Sequence, residues 1–171
     1  MKANLDPFLS SVDALCNDIN KRIRFLNSGG CAVFAAFMGQ CLEKYGKVTI
    51  AVGSDDSVVS SLDEVRPMIN ANCLDDWNDN GVSFTHVIVE FTYNKVKYHI
   101  DSTGVHEAQK FTALGCWRIL ILKGRLSVQE CTDLAASSGW NWHFDRANIP
   151  VIQKKIDAGF KDMFTCGFKP T

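Results

Sequence analysis

The chain has 171 residues, of which 46% are hydrophobic and 22% charged, and its 18 basic and 19 acidic side chains give a net charge of −1. This composition is ordinary for a globular domain with its own core, and the near-zero charge gives no electrostatic reason to expect nucleic acid or an anionic membrane surface as a partner. We therefore expect one domain over residues 1–171 with neither kind of partner, and the oligomeric state stays open.

The seven cysteines fit neither a disulfide framework nor a zinc site, since their number is odd and no two are closely spaced. The first seven residues lack the apolar core of a signal peptide. No apolar run approaches the ~20 residues that span a bilayer. We therefore expect a cytoplasmic protein whose thiols stay reduced.

Two helices are predicted in the first part of the chain. Asp6 followed by Pro7 is a typical helix start, with an N-cap and a proline in the first turn. Apolar residues then recur at helical spacing over residues 8–26, and Gly29-Gly30 ends the pattern. The next run is apolar on nearly all sides and predicts a buried central helix over residues 31–44.

The sheet is predicted in the middle of the chain and the remaining helices at its end. Strands are expected over residues 47–52, 84–91, 96–100 and 117–122. Residues 53–82 are polar and predict only an irregular helix. Ser127 and Glu130 have the spacing of a capping box that opens a helix to about residue 136, and a last helix is expected over residues 149–161. This order of elements predicts the α+β class.

The candidate nucleophile is Cys31, which lies in the first turn of the predicted central helix. The unpaired N–H groups at a helix N-terminus carry partial positive charge, which favours the nucleophilic thiolate over the thiol. The backbone N–H of Cys31 is the natural first donor to a developing oxyanion. A second donor is not identified, because nearby Asn27 is more typical of a helix C-cap.

Strand pairing is expected to bring a histidine and an aspartate together. If the hairpin turns at residues 94–95, His86 lies opposite Thr103 and Asp101 lies opposite Ile88. The side chains of His86 and Asp101 then point to the same face of the hairpin and are diagonal neighbours. A three-residue loop or a bulge would change this register and turn the faces over.

Two other histidines lie near this hairpin. His99 faces Glu90 in the same register, which indicates a cross-strand pair on the surface. His106 follows the hairpin and is a second candidate for a catalytic base, although it lies off the face that carries His86.

Cys31, His86 and Asp101 have the residue types of a thiol-dependent catalytic triad. In this hypothesis Cys31 attacks a carbonyl carbon, His86 delivers a proton to the leaving amine, and Asp101 orients the imidazole. Without Cys31, His86 and Asp101 would each be more typical of a structural role, and the order of the three residues and the shared face of His86 and Asp101 favour catalysis. No cofactor or metal is expected, since no acidic cluster has the spacing of a calcium loop.

Three short motifs resemble the transglutaminase-like branch of the papain-like cysteine enzymes. Gly29-Gly30-Cys31-Ala32-Val33-Phe34-Ala35 is similar to the family's Gly-Gln-Cys-Trp-Val-Phe-Ala motif, His86-Val87-Ile88-Val89-Glu90 to its His-Val-Trp-x-Glu strand, and Asp101-Ser102-Thr103 to its Asp-x-Thr segment. The resemblance covers roughly residues 27–105. It implies a papain-like fold, in which a central helix with the cysteine packs on an antiparallel sheet with the histidine and the aspartate. It also implies acyl transfer through a thioester.

Two positions depart from the family pattern, since Gly30 stands in place of Gln and Ala32 in place of Trp. Both changes remove side chains near the oxyanion and the substrate channel, which puts protein cross-linking in doubt. The first hypothesis is a cysteine peptidase or amidase that acts on a protein or peptide. The second is acyl transfer of the transglutaminase or N-acyltransferase type, and the third is a catalytically silent binding or inhibitory module. Fold alone does not decide among them.

Overall fold

A computed structural model describes residues 5–26, 29–54, 60–70, 86–108, 120–136 and 144–170 of the chain. These residues form helices before and after an antiparallel sheet, so the arrangement is α+β as the sequence predicts. None of the described helices is both long enough and apolar enough to cross a membrane.

The first helix, α1 (Pro7–Arg22), begins as predicted, because the Asp6 carboxylate accepts a hydrogen bond of 2.9 Å from the backbone N–H of Phe8. It ends earlier than predicted, since Ile23 already has an extended backbone with φ of −116°. Ile23 and Leu26 are nevertheless buried. The apolar residues beyond the helix therefore follow its spacing because they are buried and not because they are helical.

The second helix, α2 (Cys31–Leu42), is the buried central element. Ten of its residues are buried, on all sides of the helix: Cys31, Ala32, Val33, Phe34, Ala35, Ala36, Met38, Gly39, Cys41 and Leu42. It packs against the sheet and against the later helices. A helix that is apolar all round needs such partners on every side, which explains its central place.

The centre of the sheet is formed by β1 (Lys47–Ser54), β2 (His86–Tyr93) and β3 (Val96–Asp101), which pair antiparallel. The turn between β2 and β3 lies at Asn94 and Lys95, whose φ angles of 48° and 66° are those of a type I′ turn. The register of this hairpin is the predicted one.

A further strand, β4 (Gly104–Glu107), was not predicted. β3 ends at Asp101 and the chain turns back at once, so the predicted pairing of His86 with Thr103 does not form. Gly104 permits the turn because it has a φ of 129°, and a Cβ there would lie 2.1 Å from the Asp13 carboxylate of α1.

The sheet is completed by β5 (Leu120–Ile121), which pairs with β1, and the strand order is β4-β3-β2-β1-β5. β5 is the described part of the strand predicted over residues 117–122, and residues 117–119 lie outside the described part of the chain.

Three more helices are described: α3 (Leu62–Asn70) lies between β1 and β2 in the chain, and α4 (Val128–Ala136) and α5 (Ile149–Thr165) follow β5. α4 has the predicted capping box, since Ser127 Oγ accepts from the backbone N–H of Glu130 at 3.1 Å and the Glu130 carboxylate accepts from that of Ser127 at 2.7 Å. α5 is four residues longer than predicted, and α3 is the regular helix within the predicted irregular segment.

Candidate active site

Cys31 and His86 are each the first residue of an element, Cys31 of α2 and His86 of β2. Because α2 packs on β2, these two starting points meet, and Cys31 is one of the groups that act on the imidazole of His86. Both residues are buried, with exposed fractions of 4% and 8%. The first N–H groups of α2 have no partner within the helix and carry partial positive charge beside the sulfur.

His86 is also bonded to the aspartate that the sequence singles out. Its Nε2 lies 2.9 Å from Oδ2 of Asp101, and both side chains are buried. An ionised carboxylate only accepts hydrogen bonds, so Nε2 donates to it. The predicted meeting of His86 with Asp101 is confirmed, and the catalytic roles of the three residues stay a prediction.

The imidazole of His86 holds its proton strongly. Burial by itself lowers the pKa of His86, but the hydrogen bonds from His86 to Asp101 and Cys31, and the negative charges of these groups, outweigh burial and raise the pKa to about 10. An imidazolium in this position stabilises a thiolate beside it, which is the form of cysteine that attacks a carbonyl carbon.

Asp101 is correspondingly stable as a carboxylate. Burial raises its pKa, but hydrogen bonds from His106, His86 and the Thr103 hydroxyl outweigh burial and hold the pKa of Asp101 well below its usual range. Asp101 therefore stays negative whenever the protein is folded at ordinary pH. A permanent negative charge on one side of His86 is what an orienting residue of a triad supplies.

The glycine before the nucleophile makes room for an aromatic ring. Gly30 is buried, and a Cβ on it would lie 2.7 Å from Cδ2 of Phe144 and 2.9 Å from the carbonyl oxygen of Leu26. Phe144 is 4% exposed. A ring thus packs on this backbone where the transglutaminase-like motif has Gln, directly before Cys31 in the chain. A larger residue at position 30 would displace Phe144.

A second buried charged group lies outside the triad. Glu90 is 5% exposed, and the Arg125 guanidinium donates to it twice, at 2.7 and 2.9 Å. His99 Nε2 lies 3.2 Å from the same carboxylate. Burial raises the pKa of Glu90, but bonds from His99 and Arg125 and the charge of Lys97 lower it well below its usual range. The predicted pairing of His99 with Glu90 is confirmed, but its predicted surface location is wrong, because Arg125 covers the carboxylate.

Comparisons with models of protein families, with curated proteins and with solved structures find no match for this chain. The chemistry of the site is therefore inferred from its own geometry. In the part of the chain that the structure describes, no group of three or more His, Cys, Asp or Glu side chains is arranged to hold a metal ion.

The sequence did not give two residues beside the triad the places they have in the structure: it offered His106 only as a second candidate base, and it did not predict that Phe144 packs on Gly30. The sequence signal for the place of His106 is Asp101-Ser102-Thr103-Gly104, which is typical of a tight turn. This turn leads into β4, which pairs with β3 and so brings His106 back beside it. Phe144 belongs to an aromatic stretch that has no regular spacing, and residues 140–143 of that stretch lie outside the described chain. Asn27 also lies outside it.

Proposed function

We propose that this chain is a thiol-dependent enzyme that cleaves an amide bond in a protein or peptide, with Cys31 as nucleophile, His86 as general acid and base, and Asp101 as orienting residue. The observation that supports the proposal is the hydrogen bond between Asp101 and His86, with Cys31 acting on the same imidazole from the N-terminus of a buried helix. The fold we propose is the transglutaminase-like variant of the papain-like fold. Its support is the packing of α2 on the strands that carry His86 and Asp101.

The first half of the reaction forms a thioester. The Cys31 thiolate attacks the carbonyl carbon of the amide, the C–S bond forms, and the negative charge passes to the carbonyl oxygen. The backbone N–H of Cys31, at the positive end of α2, donates to this oxyanion. When the C–N bond breaks, the proton on His86 passes to the leaving amine nitrogen.

The second half releases the acyl group. His86, now neutral, takes a proton from a water molecule, and the resulting hydroxide attacks the thioester carbon. The C–S bond breaks, the carboxylic acid leaves, and the sulfur returns to a thiolate beside the imidazolium. Asp101 remains ionised throughout and stabilises the charged imidazole. If an amine attacks in place of water, the same steps give acyl transfer, which is the second activity compatible with this site.

A reducing compartment suits this chemistry, and we propose the cytoplasm. The described cysteines are free thiols: Cys16, Cys31, Cys41, Cys131 and Cys166. A nucleophilic thiolate must stay reduced to react, and the cytoplasm keeps thiols in this form.

The test is site-resolved iodoacetamide alkylation of the native protein from about pH 5 to 9, a range that brackets perturbed thiol pKa values. Exposed Cys166 serves in the same sample as the internal reference. We expect Cys31 to react faster than Cys166 below about pH 7, and we expect His86→Ala to move the Cys31 profile to higher pH. A Cys31 profile that follows Cys166 in the wild type, or is unchanged in His86→Ala, would contradict the proposed pair.

The reaction type is then read from products. Wild type and Cys31→Ser are incubated with a peptide mixture with and without an added primary amine, and the products are identified by mass spectrometry. New peptide termini indicate a peptidase, conversion of side-chain amides to acids indicates an amidase, and amine adducts indicate acyl transfer. Loss of Cys31 should lower any such activity by at least about 10³-fold. A reactive Cys31 with no product in any arm would favour the silent binding module.

A further inference from the structure

The two oxygens of Asp101 have different partners. Oδ2 accepts from His86, as described above. Oδ1 faces the turn that follows β3, where it accepts from the backbone N–H of Thr103 at 2.7 Å and from the Thr103 hydroxyl at 2.5 Å. His106 Nε2 lies 3.1 Å from that hydroxyl and 3.8 Å from Oδ1 itself. Asp101 therefore lies between two histidines, one on each oxygen.

The direction of these hydrogen bonds follows from the count of protons. A threonine hydroxyl has one hydrogen, and here it is donated to the Asp101 carboxylate, which only accepts. Toward His106 the hydroxyl oxygen of Thr103 must then accept, so Nε2 of His106 donates. The series runs His106 to Thr103 to Asp101, and each bond polarises the next one.

The position of His106 is fixed by the backbone and not by this bond alone. In β4, His106 pairs with His99 of β3, and Gly104 pairs with Asp101. The Asp13 carboxylate of α1 accepts from the backbone N–H of Val105 at 2.9 Å, which fixes the start of β4 to the helix. The imidazole of His106 is therefore held beside Thr103, with 15% of its side chain exposed.

We infer that His106 is a positioning residue of the triad, which through the Thr103 hydroxyl holds Asp101 so that its other oxygen points at His86. This inference rests on the proposed function, since it gives the triad a fourth and fifth member. His106 is the histidine that the sequence offered as an alternative base. In the structure, His86 and His106 lie on opposite sides of Asp101, and His106 interacts with the carboxylate through the Thr103 hydroxyl.

The test is a carboxyl-¹³C NMR titration of Asp101 in the folded protein, in variants that keep or remove each donor. His106→Leu and Thr103→Val remove the donors at similar volume, while His106→Gln and Thr103→Ser keep an N–H and an O–H. We expect the Asp101 midpoint to rise by about one pH unit in the first two, the effect of losing one hydrogen bond to a charged group, and to stay near wild type in the conservative pair. Glu107→Gln, on the same strand, controls for general disturbance of β4.

The inference is overturned if His106→Leu and Thr103→Val are folded and titrate Asp101 as the wild type does. It is also overturned if His106→Gln shifts the midpoint as much as His106→Leu, since the imidazole then acts by packing alone. Thr103→Val carries the test by itself if His106→Leu does not fold.

Alkylation of Cys31 in the same samples separates this inference from the proposed function. A shifted Asp101 midpoint beside a Cys31 of ordinary reactivity in the wild type supports the positioning role and contradicts catalysis. An activated Cys31 with an unmoved Asp101 midpoint supports catalysis and contradicts the positioning role.

Discussion

At the scale of single residues, the proposed nucleophile Cys31 is enclosed. Cys31 is 4% exposed, and the ring of Phe144 packs on Gly30 directly before it in the chain. A protein or peptide substrate must reach the sulfur of Cys31 before it can react. A side chain that packs over the residues around this sulfur therefore slows the reaction. Phe144 is in this position and makes no polar contribution to the triad.

We predict that Phe144→Ala raises the alkylation rate of Cys31 by roughly tenfold, the effect of lowering a local opening free energy by about 1.4 kcal/mol. The rate is measured by quenched alkylation at fixed pH, with Cys166 as the internal reference. Phe160→Ala is the matched control, because Phe160 is also a buried phenylalanine but packs on Tyr45 and Phe8. Equal acceleration in both variants would attribute the effect to lost stability and not to Phe144 covering the site.

At the scale of elements, the β2–β3 hairpin places His86 and Asp101 side by side. The two residues stand at the end of the hairpin opposite to its turn, so any change of register at the turn would separate them. The register depends on Asn94 and Lys95, both with positive φ. Lys95 is the strained member, because an L-residue with a bulky side chain is unfavourable in this region.

We predict that Lys95→Gly stabilises the protein by about 0.5–1 kcal/mol, since Asn-Gly is the preferred type I′ turn and Lys95 is exposed. The measurement is urea unfolding, analysed by linear extrapolation. Lys97→Gly in β3 is the control and should destabilise, because glycine is unfavourable within a strand. A lower stability of Lys95→Gly would contradict the assigned turn.

At the scale of the whole molecule, an ion pair between a buried carboxylate and a partly exposed guanidinium joins distant parts of the chain. Glu90 lies in β2, and Arg125 lies in the connection between β5 and α4. The Arg125 guanidinium also donates to the backbone carbonyl of Gly124, and Arg66 of α3 donates to the carbonyl of Arg125. This cluster connects β2 to α3 and to the segment that leads into α4. A buried carboxylate without these partners would be unfavourable.

We predict that Arg125→Met destabilises the protein by about 2 kcal/mol or more at neutral pH, because it leaves Glu90 buried with fewer partners. Adding Glu90→Gln to this variant should recover much of the loss. Because Arg125 depresses the pKa of Glu90, the stabilisation is complete above the ordinary Glu value of 4.5 and is lost as the pH falls toward the folded-state pKa. Urea unfolding from pH 7 down to pH 3 should therefore show a narrowing gap between wild type and Arg125→Met. A constant gap would mean that the loss does not come from the charge on Glu90.

The residues that sequence reasoning placed correctly are those whose partners are close along the chain. The cap at Asp6, the capping box at Ser127 and the hairpin turn each depend on a few neighbouring residues, and each is present as predicted. The end of α1 and the strand β4 were missed. For α1, buried apolar residues continue the helical spacing beyond the end of the helix. For β4, the place of the strand also depends on a contact that is distant in sequence, the hydrogen bond from Val105 to Asp13.

The sequence by itself determined the α+β class, the helix that begins at Cys31 and the hairpin that brings His86 to Asp101, because helical spacing, capping and strand alternation are local properties. Only the tertiary structure decided that α2 and β2 begin at the same place, which brings Cys31 to the imidazole of His86. It also decided that His106 and Phe144 lie beside the site. These contacts arise from burial of apolar surface, which is non-directional and has no period along the chain.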